Sequence, residues 1–224
     1  TMNNELRNVA ENMRELGLGA LTHANRHAAY QDIVNDKWAE LSVLQAAHAA
    51  EILIKAKIAE EHPLLIFEKF PKITDDNLSL LSLFEDGHTI EWSQLPNRLW
   101  ATTSMHLPNK DVFIRFGKLR NSIQHFGAIP KDVKASLETL RFIYSVIDPF
   151  IYECWQLYAI DFDEDYDSYE HFPPILIDRK IEFLVSPRAA EYHEFWDSNL
   201  QKANDTYRLE MEKRIQDSLN KTSL

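Results

Sequence analysis

Apolar residues recur every three or four positions through most of this chain, and few helix-breaking residues interrupt them. The 224 residues include only 5 glycines and 9 prolines. Because glycine and proline end helices and form turns, their scarcity favours long, uninterrupted helical segments. The sequence therefore predicts an all-α protein.

The bounds of the predicted helices follow from this spacing and from the residues that break it. The helices cover residues 3–20, 30–61, 74–84, 90–104, 111–126, 132–158 and 188–219. The second is longer than most globular helices, so we expect it to bend or to start late, and Pro63 ends it. We expect Pro149 to interrupt the sixth. Residues 64–70 fit a strand by periodicity alone, but no partner strand is evident, so we predict a buried loop or helical turn.

Within three of these helices, the spacing also predicts which residues are buried. The predicted core positions are Ile33, Val34, Trp38, Leu41, Leu44, Ala49, Ile52, Leu53, Ala56 and Ala59 on the second helix, Trp92, Leu95, Leu99 and Trp100 on the fourth, and Tyr192, Phe195, Trp196, Leu200 and Ala203 on the last.

The charge is unevenly distributed. Residues 161–167 carry five acidic side chains and no basic one. This stretch predicts a division of the chain into residues 1–160, a helical domain, and residues 161–224, an acidic linker with a long C-terminal helical extension. The alternative is an ordinary solvated loop. Residues 175–185 fit a short strand or an irregular crossing segment.

The net charge of −11 argues against a broad nucleic-acid-binding surface. Residues 110–120 are an exception, with four basic side chains against one acidic side chain. A small basic site on an acidic protein suits a short or single-stranded substrate.

No run of about 18 apolar residues occurs, the N-terminus is unlike a signal peptide, and Cys154 is the only cysteine, so we expect a cytoplasmic protein with no membrane partner.

A segment reading KLRNSIQHFG, residues 118–127, lies within one predicted amphipathic helix. Asn109 or Asp111 opens this motif helix, and Gly127 is placed to end it. One apolar stripe faces the core: Val112, Phe116, Leu119, Ile123 and Phe126. Gly117, Asn121 and His125 follow one another at single-turn spacing and form a row opposite this stripe. A glycine there indicates the close approach of another helix or of a substrate.

Three residues of the motif have side chains suited to cutting RNA. Arg120 can hold a phosphate through two parallel hydrogen bonds. His125 can transfer protons near neutral pH, and the helix C-terminus favours its protonated form. Asn121 can orient either group. These three are the candidate catalytic residues.

The segment Arg120-x4-His125, with Asn121 after the arginine, resembles the R-x4–6-H signature of the HEPN superfamily (higher eukaryotes and prokaryotes nucleotide-binding). Residues 46–56, AAHAAEILIKA, are similar to the early long helix of such domains. The resemblance covers roughly residues 30–150. It implies a HEPN-like helical bundle that dimerises through the motif helix. It also implies a metal-independent endoribonuclease whose site is shared by two protomers, with RNA as the substrate.

Such proteins include toxins and antiphage effectors, so the resemblance also implies a protein regulator or antitoxin as a partner. One position departs from the pattern. HEPN toxins paired with nucleotidyltransferase antitoxins often have a tyrosine two positions after the histidine, where this chain has Gly127. Neutralisation by modification of that tyrosine is therefore not expected.

Three further residues are predicted to support the site. Glu51 lies within about one turn of His48 and Lys55 on the second helix, and it can pair with Arg120 and hold it. The alternative is that these three form a solvated helix stripe. Lys118 and Gln124 lie beside the catalytic candidates on the motif helix.

Metal and cofactor signals are weak. His23 and His27 have a spacing that suits zinc, but no third ligand is evident. Glu85 and His88 form a lone Glu-x-x-His, and a di-iron bundle needs two. No phosphate-binding glycine loop occurs, so we expect no cofactor and no metal.

Two other functions remain open. One is a non-catalytic helical module of the same fold that binds a nucleotide, RNA or a protein. The other is a structural interaction protein that docks through the segment after residue 188.

Overall fold

The computed structural model describes residues 6–69, 83, 85–129, 131–165 and 168–222. These residues are mostly helical, which confirms the predicted all-α class. None of the described helices has the length and apolarity needed to cross a membrane. The helices before residue 180 include α1 (Val9–Ala29), α2 (Trp38–Glu61), α3 (Leu95–Thr103), α4 (Lys110–Phe126), α5 (Ala135–Phe142), α6 (Asp148–Trp155) and α7 (Ser168–Asp178).

Helices α1 and α2 pack against each other through small side chains. Gly17 is buried in this contact, and a Cβ there would lie 2.7 Å from Cγ of Leu53. Close packing of the two backbones offsets the low helix propensity of glycine. Helix α1 therefore continues through Gly17 to Ala29, and the predicted end at residue 20 is wrong.

The second helix was expected either to bend or to start late. Helix α2 starts late, at Trp38, and it ends before Pro63, as predicted. The side chain of Asp32 explains the late start, because its Oδ1 accepts the N–H groups of Val34 and Asn35 at 2.7 Å. Such local bonds compete with the helix. Ile33 and Val34, predicted to be buried, are therefore exposed in the loop before the helix.

The segment after α2 is a 3₁₀ turn, Pro63–Ile66, followed by strand β1, Phe67–Lys69. Strand β1 pairs antiparallel with β2, His88–Thr89. The predicted helical turn is confirmed for the first half, and the strand was missed because its partner is too short to show periodicity. The helix predicted over residues 74–84 lies almost wholly outside the described residues.

A 3₁₀ turn, Trp92–Gln94, leads into α3. Leu95 and Leu99 are fully buried, as predicted. Trp100 is 53% exposed, so its predicted burial is wrong.

Two prolines free backbone carbonyls that other elements then bind. Pro149 cannot donate to the carbonyl four residues earlier. That carbonyl, on Ser145, accepts Nδ2 of Asn109 at 2.7 Å, and a π-helical turn, Ile143–Ile147, separates α5 from α6. The interruption predicted at Pro149 is thus confirmed and lies directly before it. Pro173 inside α7 likewise frees the carbonyl of Tyr169, which accepts the indole N–H of Trp196 at 2.7 Å.

The acidic stretch is not a freely solvated loop. Asp161 accepts hydrogen bonds from Tyr169 and Ser186, while Glu164 and Asp165 contact His23 and Arg26 on α1. One hydrophobic core contains residues from both sides of position 160, including Leu53 and Ile215. The two predicted parts of the chain therefore share one core.

The C-terminal extension is helical, but it is not the single helix predicted over residues 188–219. It consists of α8 (Pro187–Ala190), a 3₁₀ turn (His193–Trp196), α9 (Asp197–Leu200) and α10 (Asp205–Thr222). A new helix starts where Oδ1 of Asn204 accepts the N–H of Tyr207 at 3.0 Å. Of the predicted apolar seam, Trp196 and Leu200 are buried, whereas Phe195 is exposed. Residues 181–185 form the irregular crossing segment, and residues 175–178 belong to α7.

Candidate functional site

The motif lies on α4, whose bounds match the prediction closely. Asn109 precedes the helix. Gly127 follows it in the left-handed region at φ +61°, and its N–H donates to the carbonyl of Ile123 at 2.9 Å. The helix end predicted from this glycine is confirmed.

Gly117 seats α4 on the core rather than facing outward. It is buried, and a Cβ there would overlap the indole of Trp92. That indole stacks on Phe113 at 4.0 Å between ring centroids. The close approach predicted from Gly117 is therefore real, but the approaching group is a side chain of the same chain. The predicted row of Gly117, Asn121 and His125 opposite the core is wrong at its first member.

The buried face of α4 is centred on Phe113, Phe116 and Gly117, so it is rotated from the predicted stripe. Val112 and Leu119 are only half-buried, and Phe126, the last predicted core residue, is 80% exposed. Residue spacing alone could not decide whether Val112 or Phe113 starts the buried stripe, because these two adjacent residues are both apolar. The rotation brings Arg120 to the rim of the core and leaves Asn121 and His125 exposed, as predicted for those two.

A chain of polar contacts links α4 to α2 and to β2. Nη2 of Arg120 lies 3.8 Å from Oε2 of Glu51, so the predicted pairing of these residues is confirmed. The other carboxylate oxygen of Glu51 accepts Nζ of Lys55 at 2.6 Å. Lys55 also donates to Oγ1 of Thr89 at 3.1 Å. On the far side, Nη1 of Arg120 donates to Oδ1 of Asn121 at 3.2 Å.

This arrangement places one carboxylate between two cations. Lys55 is 5% exposed and depends on Glu51 for its charge partner, whereas the side chains of Glu51 and Arg120 are 21% and 28% exposed. Because Glu51 is shared, the guanidinium of Arg120 is only partly neutralised. It is held at the surface with its charge available to an anion.

The side chains of His125, Lys118 and Gln124 are exposed and make no hydrogen bond or ion pair with another described residue. His125 thus lies on the same helix as Arg120 but is not hydrogen-bonded to it. A histidine that acts as a general base is usually oriented by a third group. For His125, such a group would come from a bound RNA or from a second copy of the chain.

Two residues of the site were missed by sequence reasoning. Thr89 binds Lys55, and Trp92 fixes the orientation of α4 through Gly117. Neither position carries a signal in the sequence, since the first is in a two-residue strand and the second reads as an ordinary core tryptophan.

The candidate zinc ligands have other contacts. His23 contacts the carboxylate of Glu164, and the ring of His27 lies 3.8 Å from that of Trp38. In the described part of the chain, no three histidine, cysteine or acidic side chains are grouped so as to hold a metal ion.

Comparison with protein-family models, with curated proteins and with solved structures gives no match to this chain.

Proposed function

We propose that this protein is a metal-independent endoribonuclease of the HEPN type. The observation that supports this most is the position of Arg120, held at the surface between Glu51 and Asn121 with His125 exposed farther along the same helix. A cation that can hold a phosphate and a histidine that can transfer protons therefore lie on one helix, about 140° apart around its axis, and both reach solvent.

The chemistry requires little else from the protein, because RNA carries its own nucleophile. Proton transfer to His125 would activate the 2′-hydroxyl, which attacks the adjacent phosphorus. Arg120 would bind the non-bridging oxygens, where negative charge develops. Protonation of the departing 5′-oxygen completes the step. The products are a 2′,3′-cyclic phosphate and a 5′-hydroxyl.

A homodimer through α4 would complete this site. One histidine cannot act as base and as acid in the same step, and His125 lacks an orienting partner among the described residues. A two-fold axis beside α4 would bring a second His125 to the same phosphate, so that the two histidines divide the roles. In the cell, a role as a toxin or an antiphage effector, controlled by a protein regulator or antitoxin, fits such an activity.

The isolation of His125 equally favours a second candidate, a HEPN-like module that binds RNA, a nucleotide or a protein partner without turnover. The two functions differ in one observable, which is whether new RNA ends appear.

Cleavage of a labelled single-stranded RNA in excess EDTA tests the proposal. We expect Arg120→Ala and His125→Ala each to lower the rate by about 10²–10⁴-fold, because each removes a group that acts in the transition state. Matched controls are Arg7→Ala and His171→Ala, which remove an exposed arginine and an exposed histidine elsewhere. Equal rates in all five proteins would overturn the assignment of these residues. Binding with no cleavage by the wild type would select the second candidate.

A further inference from the structure

A cleft of about 620 Å³ opens on the other side of the motif helix. It lies between α4, the π-helical turn and the crossing segment that follows α7. Charged residues dominate its rim, and those that matter here are Arg115, Arg141, Lys180, Arg214, Glu138 and Glu182.

Two cations of this rim have no charge partner among the described residues. Arg141 pairs with Glu138 at 2.8 Å, and Arg214 pairs with Glu182 at 3.0 Å. Neither Arg115 nor Lys180 makes a hydrogen bond through its side chain or an ion pair with any residue that the structure describes.

The remaining acid in the cleft, Asp148, is fully buried. Its two oxygens accept the N–H groups of Ala159 and Leu184 at 2.8 Å. The two glutamates of the cleft are thus paired with arginines, and Asp148 is bonded to backbone N–H groups. Arg115 and Lys180 are therefore the rim cations without an ion-pair partner among the described residues, on a chain of net charge −11.

Lys180 occupies a backbone position that favours glycine. Its φ is +56°, and the N–H groups of Lys180 and Ile181 donate to the carbonyls of Ile177 and Leu176 at 2.9 Å. This is the Schellman pattern at a helix end, in which glycine is the usual residue at the position that Lys180 holds. A lysine there costs stability. The cleft has a lysine at this position despite that cost.

The cleft is continuous with the motif helix. A second hollow of about 300 Å³ shares Val112, Arg115 and Glu138 with it, and extends along α4 to Lys118 and Ser122. Because the two hollows share these residues, they form one groove that runs along α4 from Ser122 to Lys180, with Arg115 and Lys118 along its length. Arg120, Asn121 and His125 do not line this groove.

We infer that this groove binds the phosphates of a single RNA strand, with Arg115 and Lys180 as its principal contacts. The inference deepens the proposed function and rests on it for RNA as the ligand. Spaced cations along a groove suit a chain of phosphates. The negative charge of the rest of the protein disfavours a long duplex.

The test uses a fluorescent 12-nucleotide RNA with 2′-O-methyl groups throughout, which binds but cannot be cleaved. Its Kd is measured by anisotropy at several salt concentrations. Lys180→Gly and Arg115→Gln should each raise the Kd about 5–10-fold, and each lost phosphate contact should reduce the slope of log Kd against log salt by about 0.7. Lys180→Gly should also keep or raise the Tm, since glycine relieves the backbone.

The matched control is Ser104→Gly. Ser104 has φ +61° at another helix end and does not line the groove. This variant should change the Tm in the same direction as Lys180→Gly while leaving the Kd and the salt slope unchanged.

Three results would overturn the inference that this groove binds an RNA strand. The wild type could fail to bind the strand, both variants could bind as the wild type does, or AMP or inorganic phosphate could compete as tightly as the 12-mer, which would indicate a small phosphate ligand. Failure of the proposed catalysis is distinguishable from these. In that case natural RNA stays intact, while the methylated strand still binds in a manner that depends on Lys180.

Discussion

Two carboxylates near the motif helix are held in opposite ways. Glu51 lies at the surface between two cations, Lys55 and Arg120. Asp148 is fully buried and accepts two backbone N–H groups, those of Ala159 and Leu184. Burial raises the pKa of Asp148 to about 7, against the stabilising effect of those two hydrogen bonds on the charged form.

The difference shows what each carboxylate does. Glu51 positions one functional side chain, Arg120. Asp148 joins three separate parts of the backbone, because it starts α6 and binds the residues at 159 and 184. Substitutions at Asp148 should therefore affect stability, whereas substitutions at Glu51 should mainly affect activity.

The largest effect is expected for Asp148→Ala. The change leaves one buried and one partly buried N–H group without acceptors, at roughly 1–3 kcal/mol each, so we expect the free energy of unfolding at pH 6 to fall by about 2–5 kcal/mol. Urea denaturation measures this. Asp217→Ala, at an exposed position, is the control and should stay within about 0.5 kcal/mol of the wild type. A loss below about 1 kcal/mol for Asp148→Ala would show that the hydrogen bonds of Asp148 to Ala159 and Leu184 do not stabilise the fold.

The pH dependence of stability should also depend on Asp148. The pKa of Asp148 in the folded state lies above its ordinary value of 3.8, so the folded protein binds this proton more tightly than the unfolded chain. The resulting stabilisation is complete below about pH 4, is lost as the pH rises through about 7, and amounts to roughly 4 kcal/mol.

Urea titrations between pH 4 and pH 8 test this, with Asp148→Asn as the comparison. The variant should lose most of the slope. A smaller slope should remain, because burial also raises the pKa values of Asp161 and Asp163. Equal slopes in the two proteins would assign the pH dependence to other groups.

Gly117 allows the indole of Trp92 to pack closely against α4, and Gly117→Ala should destabilise this packing. The added Cβ overlaps the indole of Trp92, and overpacking of this kind costs about 2 kcal/mol. Gly19 is the matched control, because it is also inside a helix and a Cβ added there would meet nothing within 4 Å. Thermal unfolding should show a loss at Gly117 and, for Gly19→Ala, a gain of about 0.4–1 kcal/mol. A gain at both positions would mean that Trp92 does not fix α4.

Glu51→Gln should have the smallest effect on stability, about 1–2 kcal/mol, because the amide oxygen can still accept from Lys55. Its effect on cleavage should be larger in proportion. With Arg120 no longer held, we expect kcat to fall roughly tenfold, since misplacement of a positioned group is costly. RNA affinity should not weaken, because the local charge becomes more positive. Glu153→Gln, at an exposed position, is the control, and weaker RNA binding in Glu51→Gln would contradict the positioning role.

Local signals in the sequence predicted the motif helix well. Gly127 marked its end, and the one-turn spacing of Asn121 and His125 placed both on an exposed face. The pairing of Glu51 with Arg120 was also predicted, from residue type and helix position. The orientation of α4 was not, because Val112 and Phe113 are adjacent apolar residues and either could lead the buried stripe.

Elsewhere the errors have a common origin in long-range contacts. The acidic stretch appeared to be a boundary by composition, yet its carboxylates bind α1 and the segment near residue 186. The C-terminal segment has helical spacing throughout. The indole N–H of Trp196 nevertheless donates to the carbonyl of Tyr169, which Pro173 leaves free, and the segment around Trp196 forms short helices and a 3₁₀ turn instead of one helix.

The sequence by itself determined that this chain is helical, where its motif helix ends and which side chains are available there for chemistry, because helix periodicity and capping depend on residues within one or two turns. Only the tertiary structure decided that Trp92 fills the space above Gly117, that Glu51 is shared by Lys55 and Arg120, and that Arg115 and Lys180 line one groove. Those contacts join residues far apart in the chain, and their geometry depends on how whole helices pack.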